Sequence, residues 1–248
     1  MKIFSRKKIS TVANIFHHAF DDKTFVFILS TMRSGSTLLK ALLANAPDTS
    51  YLPEINFNKY TWYTTWRLNL LSHKKIIVIK KPAWFHENNY PRLPRVKNQK
   101  RIFLVRDVYD TVVSIKAMNK AISAEADKEW SYDNLVHSYW LYITKNILDN
   151  PLLNEQNSIL IRYEDLVQDP IKTTKPLFEF IGSKQNQGVD KYHPPQSYEW
   201  DWGLDDGGEK IKTLKVQHIP KKRDNQELIE IIAASESVRM IRKKLGYV

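Results

Sequence analysis

One arginine, three hydroxyl side chains and a single glycine stand in a row at Arg33-Ser34-Gly35-Ser36-Thr37. An apolar, β-prone run, Phe25–Leu29, precedes them, and a helical pattern beginning Leu38-Leu39-Lys40 follows at once. A strand, a tight loop and a helix start are the geometry that holds an oxyanion. Unpaired N–H groups leave the first helical turn, the helix dipole favours negative charge, and hydroxyls add donors. Arg33 brings a charged fork for the same oxygens. The loop is not the Gly-x-x-x-x-Gly-Lys-Ser/Thr loop of nucleoside triphosphatases, because Arg33 precedes the only glycine and no lysine follows it. Taken alone, these residues also suit a plain connection with an incidental arginine.

Three further places carry polar groups at the ends of short apolar runs. Lys80-Lys81-Pro82 follows Ile76–Ile79, Arg106-Asp107 follows Ile102–Val105, and Arg162-Tyr163-Glu164-Asp165-Leu166 follows Ile159–Ile161. Ser114 lies eight residues after Arg106, about two turns into a predicted helix. The two donors can meet on a second phosphate, although Arg106-Asp107 also reads as a simple helix start with a surface serine.

The elements that must position these groups follow from periodicity. The four apolar runs predict buried strands, and 3.6-residue patterns predict helices over Thr37–Asn45, Tyr109–Met118, Tyr132–Leu148, Thr174–Ile181 and Gln226–Leu245. Alternating strands and helices imply an α/β fold with a central parallel sheet flanked by helices, in which ligands bind beyond the carboxyl ends of the strands. Loop residues cluster over Pro82–Pro94 and Ser183–Gly208. The second cluster holds Tyr192, Tyr198, Trp200 and Trp202, which suit a pocket wall or a loop packed on the body.

Composition narrows the function. The 248 residues suit one domain, and the absence of Cys excludes disulfides and thiolate chemistry. No run approaches the roughly 20 apolar residues of a membrane span, and the basic start around Arg6-Lys7-Lys8 lacks the apolar core of a signal peptide. A cytoplasmic protein is expected. The net charge of +11 is spread over many segments, which argues for an anionic small-molecule ligand and against a nucleic-acid partner.

Together these motifs resemble the sulfotransferases that use 3′-phosphoadenosine 5′-phosphosulfate (PAPS). Arg33-Ser34-Gly35-Ser36-Thr37 is similar to the family loop that holds the 5′-phosphosulfate, with Leu38 where many cytosolic members carry Trp. Arg106 with Ser114 matches the family's 3′-phosphate pair, and Tyr163-Glu164-Asp165-Leu166, followed by Asp169-Pro170, matches a later motif whose Tyr lies near adenine. The resemblance implies a single sulfotransferase domain over residues 1–248 with a P-loop-like three-layer fold. It implies a PAPS donor, the product 3′-phosphoadenosine 5′-phosphate (PAP), and no metal.

Within the family, Pro82 stands where cytosolic members place a catalytic His, and His86 is off that spacing. Glu54, 21 residues after Arg33, resembles the general base of the carbohydrate and tyrosylprotein branch, and Lys80-x-Pro82 resembles its Lys-Asp-Pro. The resemblance therefore implies Glu54 as base, with Lys80 and Arg33 on the transferring group. It also implies Lys212 and Lys215 near the 3′-phosphate. Only one of Lys80 and Lys81 can face the site, since strand neighbours alternate. Trp62, Tyr63, Trp66 and Trp84 suit an acceptor wall, with His86, and suit the core equally. The expected acceptor is a hydroxyl on a small natural product, a glycan or a lipid precursor. A protein tyrosine is the alternative within the family. A P-loop kinase, which calls for Gly-Lys-Ser/Thr and a magnesium-binding Asp, and a basic anion-binding protein are the alternatives outside it.

Overall fold

Phe25, Phe27 and Leu29 alternate with Val26 and Ile28, and all five are buried. A strand buried on both faces needs a parallel sheet covered by helices on each side. The computed structural model shows that arrangement and describes residues 23–52, 62–83, 96, 98–122, 130–195, 211–218 and 222–247. The strands are β1 (Thr24–Thr31), β2 (Thr49–Tyr51), β3 (Ile76–Ala83), β4 (Gln99–Val105) and β5 (Ser158–Arg162), in one sheet of order β2-β3-β1-β4-β5. Every pairing is parallel. The chain moves first to one side of β1 and then to the other, so the crevice past the ends of β1 and β4 is the topological switch point.

The helices are α1 (Ser36–Leu43), α2 (Trp62–Leu71), α3 (Val108–Ile122), α4 (Tyr132–Asn134) and α5 (Tyr142–Leu148). They continue with α6 (Tyr163–Gln168), α7 (Pro170–Ile181), α8 (Gln226–Ala234) and α9 (Glu236–Lys244). Between α4 and α5 the chain keeps turning as a π-helix over Leu135–Leu141. One sheet face packs Phe25, Phe27, Ile79, Phe103 and Val105 against Val112, Ile115, Tyr139, Trp140 and Leu228. The other packs Val26, Ile28, Val78 and Leu104 against Leu39, Leu42, Leu177 and Phe178.

The structure departs from the periodicity at identifiable points. The predicted helix Gln226–Leu245 is broken at Ser235, whose hydroxyl accepts from the Val238 N–H and starts a new helix. The short edge strand β2 and the helices α2 and α6 had no clear pattern. The predicted helix Tyr132–Leu148 is continuous in space but π-wound in its middle.

Candidate active site

Gly35 closes the loop after β1 in a left-handed conformation, φ 85°, and forms the N-cap of α1 without any side-chain cap. The first helical turn closes when the Leu39 N–H donates to the Gly35 carbonyl at 3.0 Å, which leaves the amides of Ser36, Thr37 and Leu38 at the open helix end. The hydroxyls of Ser36 and Thr37 meet no protein partner among the described residues. Ser34 differs. Its hydroxyl is turned inward, donating to the Thr31 carbonyl at 2.7 Å and lying 2.5 Å from Thr31 Oγ1. It shapes the turn, so only its main chain is left for a ligand.

Arg33 is also left-handed, φ 63°, an uncommon state for a side chain of this size. Its Nε donates to Ser114 Oγ at 3.2 Å, and its carbonyl accepts from Arg106 Nη1 at 2.6 Å. The three residues expected to serve two separate phosphates therefore form one connected group. Burial, and then the positive charge of Arg106, lower the Arg33 guanidinium to about 10, with Tyr163 acting the other way. The Arg106 guanidinium lies 4.2 Å over the Tyr163 ring, and its buried Nε has no partner among the described residues.

The adjacent carboxylate does not neutralise Arg106. Asp107 is fully buried and accepts from Arg223 Nη2 at 3.1 Å and Arg242 Nε at 3.0 Å. These bonds anchor the C-terminal helices to the end of β4 and leave the Arg33–Arg106 pair as a cationic patch. A buried donor of this kind calls for an anionic ligand.

Tyr163 begins α6 directly after β5 and packs flat on Gly35. A methyl group at position 35 would lie 2.4 Å from Tyr163 Cδ2. Gly35→Ala adds this clash to an unfavourable φ. It is expected to lower stability by about 1–3 kcal/mol, about 2–10 °C in Tm, and to weaken nucleotide binding at least about tenfold. Differential scanning fluorimetry and calorimetry check both.

Lys80 is buried, and its register partner on β1 is Ile28. Strand alternation puts it on the face with Ile76 and Val78, which α1 covers. Lys215 lies near the carboxylate of Asp190. Its main chain bridges Lys191, and its Nζ lies 3.7 Å from Asp190 Oδ2. Lys212 sits on the same short segment. Trp66 is half-buried and stacks on Tyr63, ring centroids 5.5 Å apart. Trp62 opens α2. Glu54, Trp84 and His86 lie outside the described residues.

Several contributors were not legible as such. Tyr192, noted only as a loop aromatic, is buried and donates to the Ile211 carbonyl at 3.0 Å. Burial and the nearby Tyr163 push its hydroxyl up to about 12. Lys40 is buried on α1 and donates to the Leu52 carbonyl, tying α1 to the segment that leaves β2. Tyr139 and Trp140 contact the loop and the end of β4, respectively. A groove of about 1120 Å³ lies at the opposite end of the sheet, beside Thr24, Gln99 and Arg101. It faces the amino ends of the strands, where ligands of such sheets do not bind.

An open parallel sheet with paired guanidinium groups and a free helix N-terminus at its switch point defines an α/β protein built for a polyanionic ligand. A sequence model of the sulfotransferase domain matches residues 23–199, and the chain belongs to that family. It is 26% identical over 187 residues to flavonol 3-sulfotransferase of Flaveria bidentis, covering 63% of this chain and 56% of that protein. The chain thus spans about half the length of the curated relatives it matches. Among solved structures it resembles the sulfotransferase domain from the curacin biosynthetic pathway. There the TM-score is 0.58 at 19% identity, over 91% of this chain and 98% of that one. It also resembles a mouse sulfotransferase, SULT7A1, complexed with PAP, with a TM-score of 0.55 at 15% identity over 92% and 93%. These two likenesses show the fold. No helix among the described residues is long and apolar enough to cross a membrane.

Proposed function

We propose that this protein transfers a sulfuryl group from PAPS to a hydroxyl acceptor by in-line displacement. The observation that carries the reading is the cationic pair Arg33–Arg106, tied to Ser114 and set beside the open N-terminus of α1. Two phosphate sites at adjacent strand ends fit a nucleotide phosphorylated at both the 3′ and 5′ positions. The loop amides with Ser36, Thr37 and Arg33 hold the 5′-phosphate that becomes the leaving group. Arg106 and Ser114 hold the 3′-phosphate, and Tyr163 stands beside the adenine. The membership of the family and the PAP in the mouse structure support this donor.

The residues divide the work of the transfer. The acceptor oxygen forms a bond to sulfur as the bond from sulfur to the 5′-phosphate oxygen breaks, and the hydroxyl proton passes to the carboxylate of Glu54. Lys80 and Arg33 offset the charge that collects on the departing oxygens. Positioning and cationic stabilisation account for the catalysis, as in phosphoryl transfer. The acceptor is a small natural product, a glycan or a lipid precursor, the setting is the cytoplasm, and neither nucleic acid nor a metal takes part.

Thermal protection tests the donor. At a PAP concentration 100 times Kd, binding adds about 2.7 kcal/mol, or about 5–10 °C in Tm for a chain of this size. ATP with magnesium should give less than about 2 °C. Larger protection by ATP with magnesium overturns the reading. Transfer of radiolabelled sulfate to a panel of phenols, sugars and lipid alcohols then identifies the acceptor.

A further inference from the structure

β1 and β4 run side by side as far as Ser30 and Leu104, their last paired positions. Beyond that pair the two main chains part, one into the loop and the other into α3. Two residues past it, each chain brings a polar main-chain group into the interior: the N–H of Met32 and the carbonyl of Arg106. Neither has a sheet partner, and a buried main-chain group without one is costly. Both are met by side chains of the π-helix. The Met32 N–H donates to the Tyr139 hydroxyl at 2.5 Å, and Trp140 Nε1 donates to the Arg106 carbonyl at 2.9 Å.

Tyr139 and Trp140 are consecutive and fully buried, in the middle of the π-helical segment Leu135–Leu141. Neighbouring helical side chains diverge, so one pair can serve two strand ends about 4.8 Å apart. Such wide turns are rare and gather at functional sites. The other side of the same gap is crossed by the Arg106 Nη1 bond to the Arg33 carbonyl and the Arg33 Nε bond to Ser114. The separation between the loop and the end of β4 is therefore held by the π-helix from the core and by the arginines from the crevice.

The geometry points to Tyr139 and Trp140 as positioning residues that set the distance between the two phosphate sites, and so determine selectivity for a nucleotide carrying both phosphates. The inference rests on the assignment of the 5′-phosphate to the loop and the 3′-phosphate to Arg106 and Ser114. From the core, the two residues hold the two opposite edges of that gap. Trp140 governs the 3′ site through the Arg106 main chain. Tyr139 governs the loop, which a 5′-monophosphate also uses.

Calorimetry with the full chain, using PAP and adenosine 5′-monophosphate as probes, tests this below the Tm of each variant. The parent is expected to prefer PAP by at least about a hundredfold, a difference of two charge-assisted bonds. Trp140→Phe, which loses the donor, should weaken PAP about fivefold to tenfold and the monophosphate less than twofold, the scale of one hydrogen bond. Tyr139→Phe should weaken both probes by similar factors. Replacing Trp140 with benzothienylalanine removes the N–H and keeps the ring shape. It should change the ratio as Trp140→Phe does, and it decides the matter if Trp140→Phe does not fold. A parent that prefers PAP, with an unchanged ratio in the Trp140 variants and only Tm reduced, overturns the inference alone. A parent with no preference for PAP overturns the two-phosphate assignment and the inference with it.

Discussion

Arg33→Ala is expected to weaken PAP binding by about 10²–10³-fold and to reduce kcat/KM at least as much. A charge-assisted hydrogen bond to a phosphate contributes about 1.5–3 kcal/mol, and a guanidinium can make two in parallel. Removing it also frees Ser114 Oγ from its 3.2 Å contact. The stability of the free protein should change far less than after an ordinary core truncation. Burial and the charge of Arg106 already lower the Arg33 guanidinium to about 10, so removing it also relieves a desolvation cost. The backbone at φ 63° is as unfavourable for Ala as for Arg. The Tm of the free variant is therefore expected within about 3 °C of the parent, while protection by PAP disappears. Arg33→Lys keeps the charge without the planar fork and should recover only part of the affinity. Calorimetry and thermal scans on all three proteins check this. A free Arg33→Ala protein that unfolds 10 °C or more below the parent would mean that the side chain is structural.

The motifs around that arginine were legible because each is local. A strand end, a turn and a helix start lie within a dozen residues, and the Arg106–Ser114 spacing is set by one helix. β1, β3, β4 and β5 were legible for the same reason, since buried strands are short apolar runs. What joins them was not. The bonds from Arg33 to Ser114, from Trp140 to the Arg106 carbonyl and from Arg242 to Asp107 connect residues 81, 34 and 135 positions apart. No periodicity encodes such contacts. The packing of Tyr163 on Gly35 depends on β5 being the neighbour of β4, which is a property of the sheet order. Ser34 shows the converse limit. Its residue type suggested a ligand contact, and its hydroxyl went to the turn instead. The contact of Lys215 with Asp190, 25 residues earlier in the chain, is another that no local pattern announced.

Glu54→Gln is expected to reduce kcat by about 10²–10⁴-fold, the usual contribution of a general base, and to change the Kd for PAP less than twofold. Glu54 lies outside the described residues, but the chain on its near side is placed. β2 ends at Tyr51, in register with Val78, and Lys80 stands two residues further along the same neighbouring strand. The chain thus leaves the sheet at the carboxyl end, beside the strand that carries Lys80. The buried amine of Lys40 donates to the Leu52 carbonyl, so α1, whose first turn is the proposed phosphate site, also holds the point from which this segment departs. Gln keeps the size of Glu and one acceptor oxygen but cannot take up the acceptor's proton. The loss should therefore fall on turnover. It should also depend on the acceptor. An acidic phenol that is partly ionised at neutral pH needs less help with its proton, so the deficit should shrink as the acceptor pKa falls toward 7. Rates for a series of phenols of decreasing pKa, against an aliphatic alcohol, measure that dependence. Full activity of Glu54→Gln toward every acceptor would sink the base assignment, and a loss of PAP affinity equal to the loss of turnover would move Glu54 from proton transfer to donor binding.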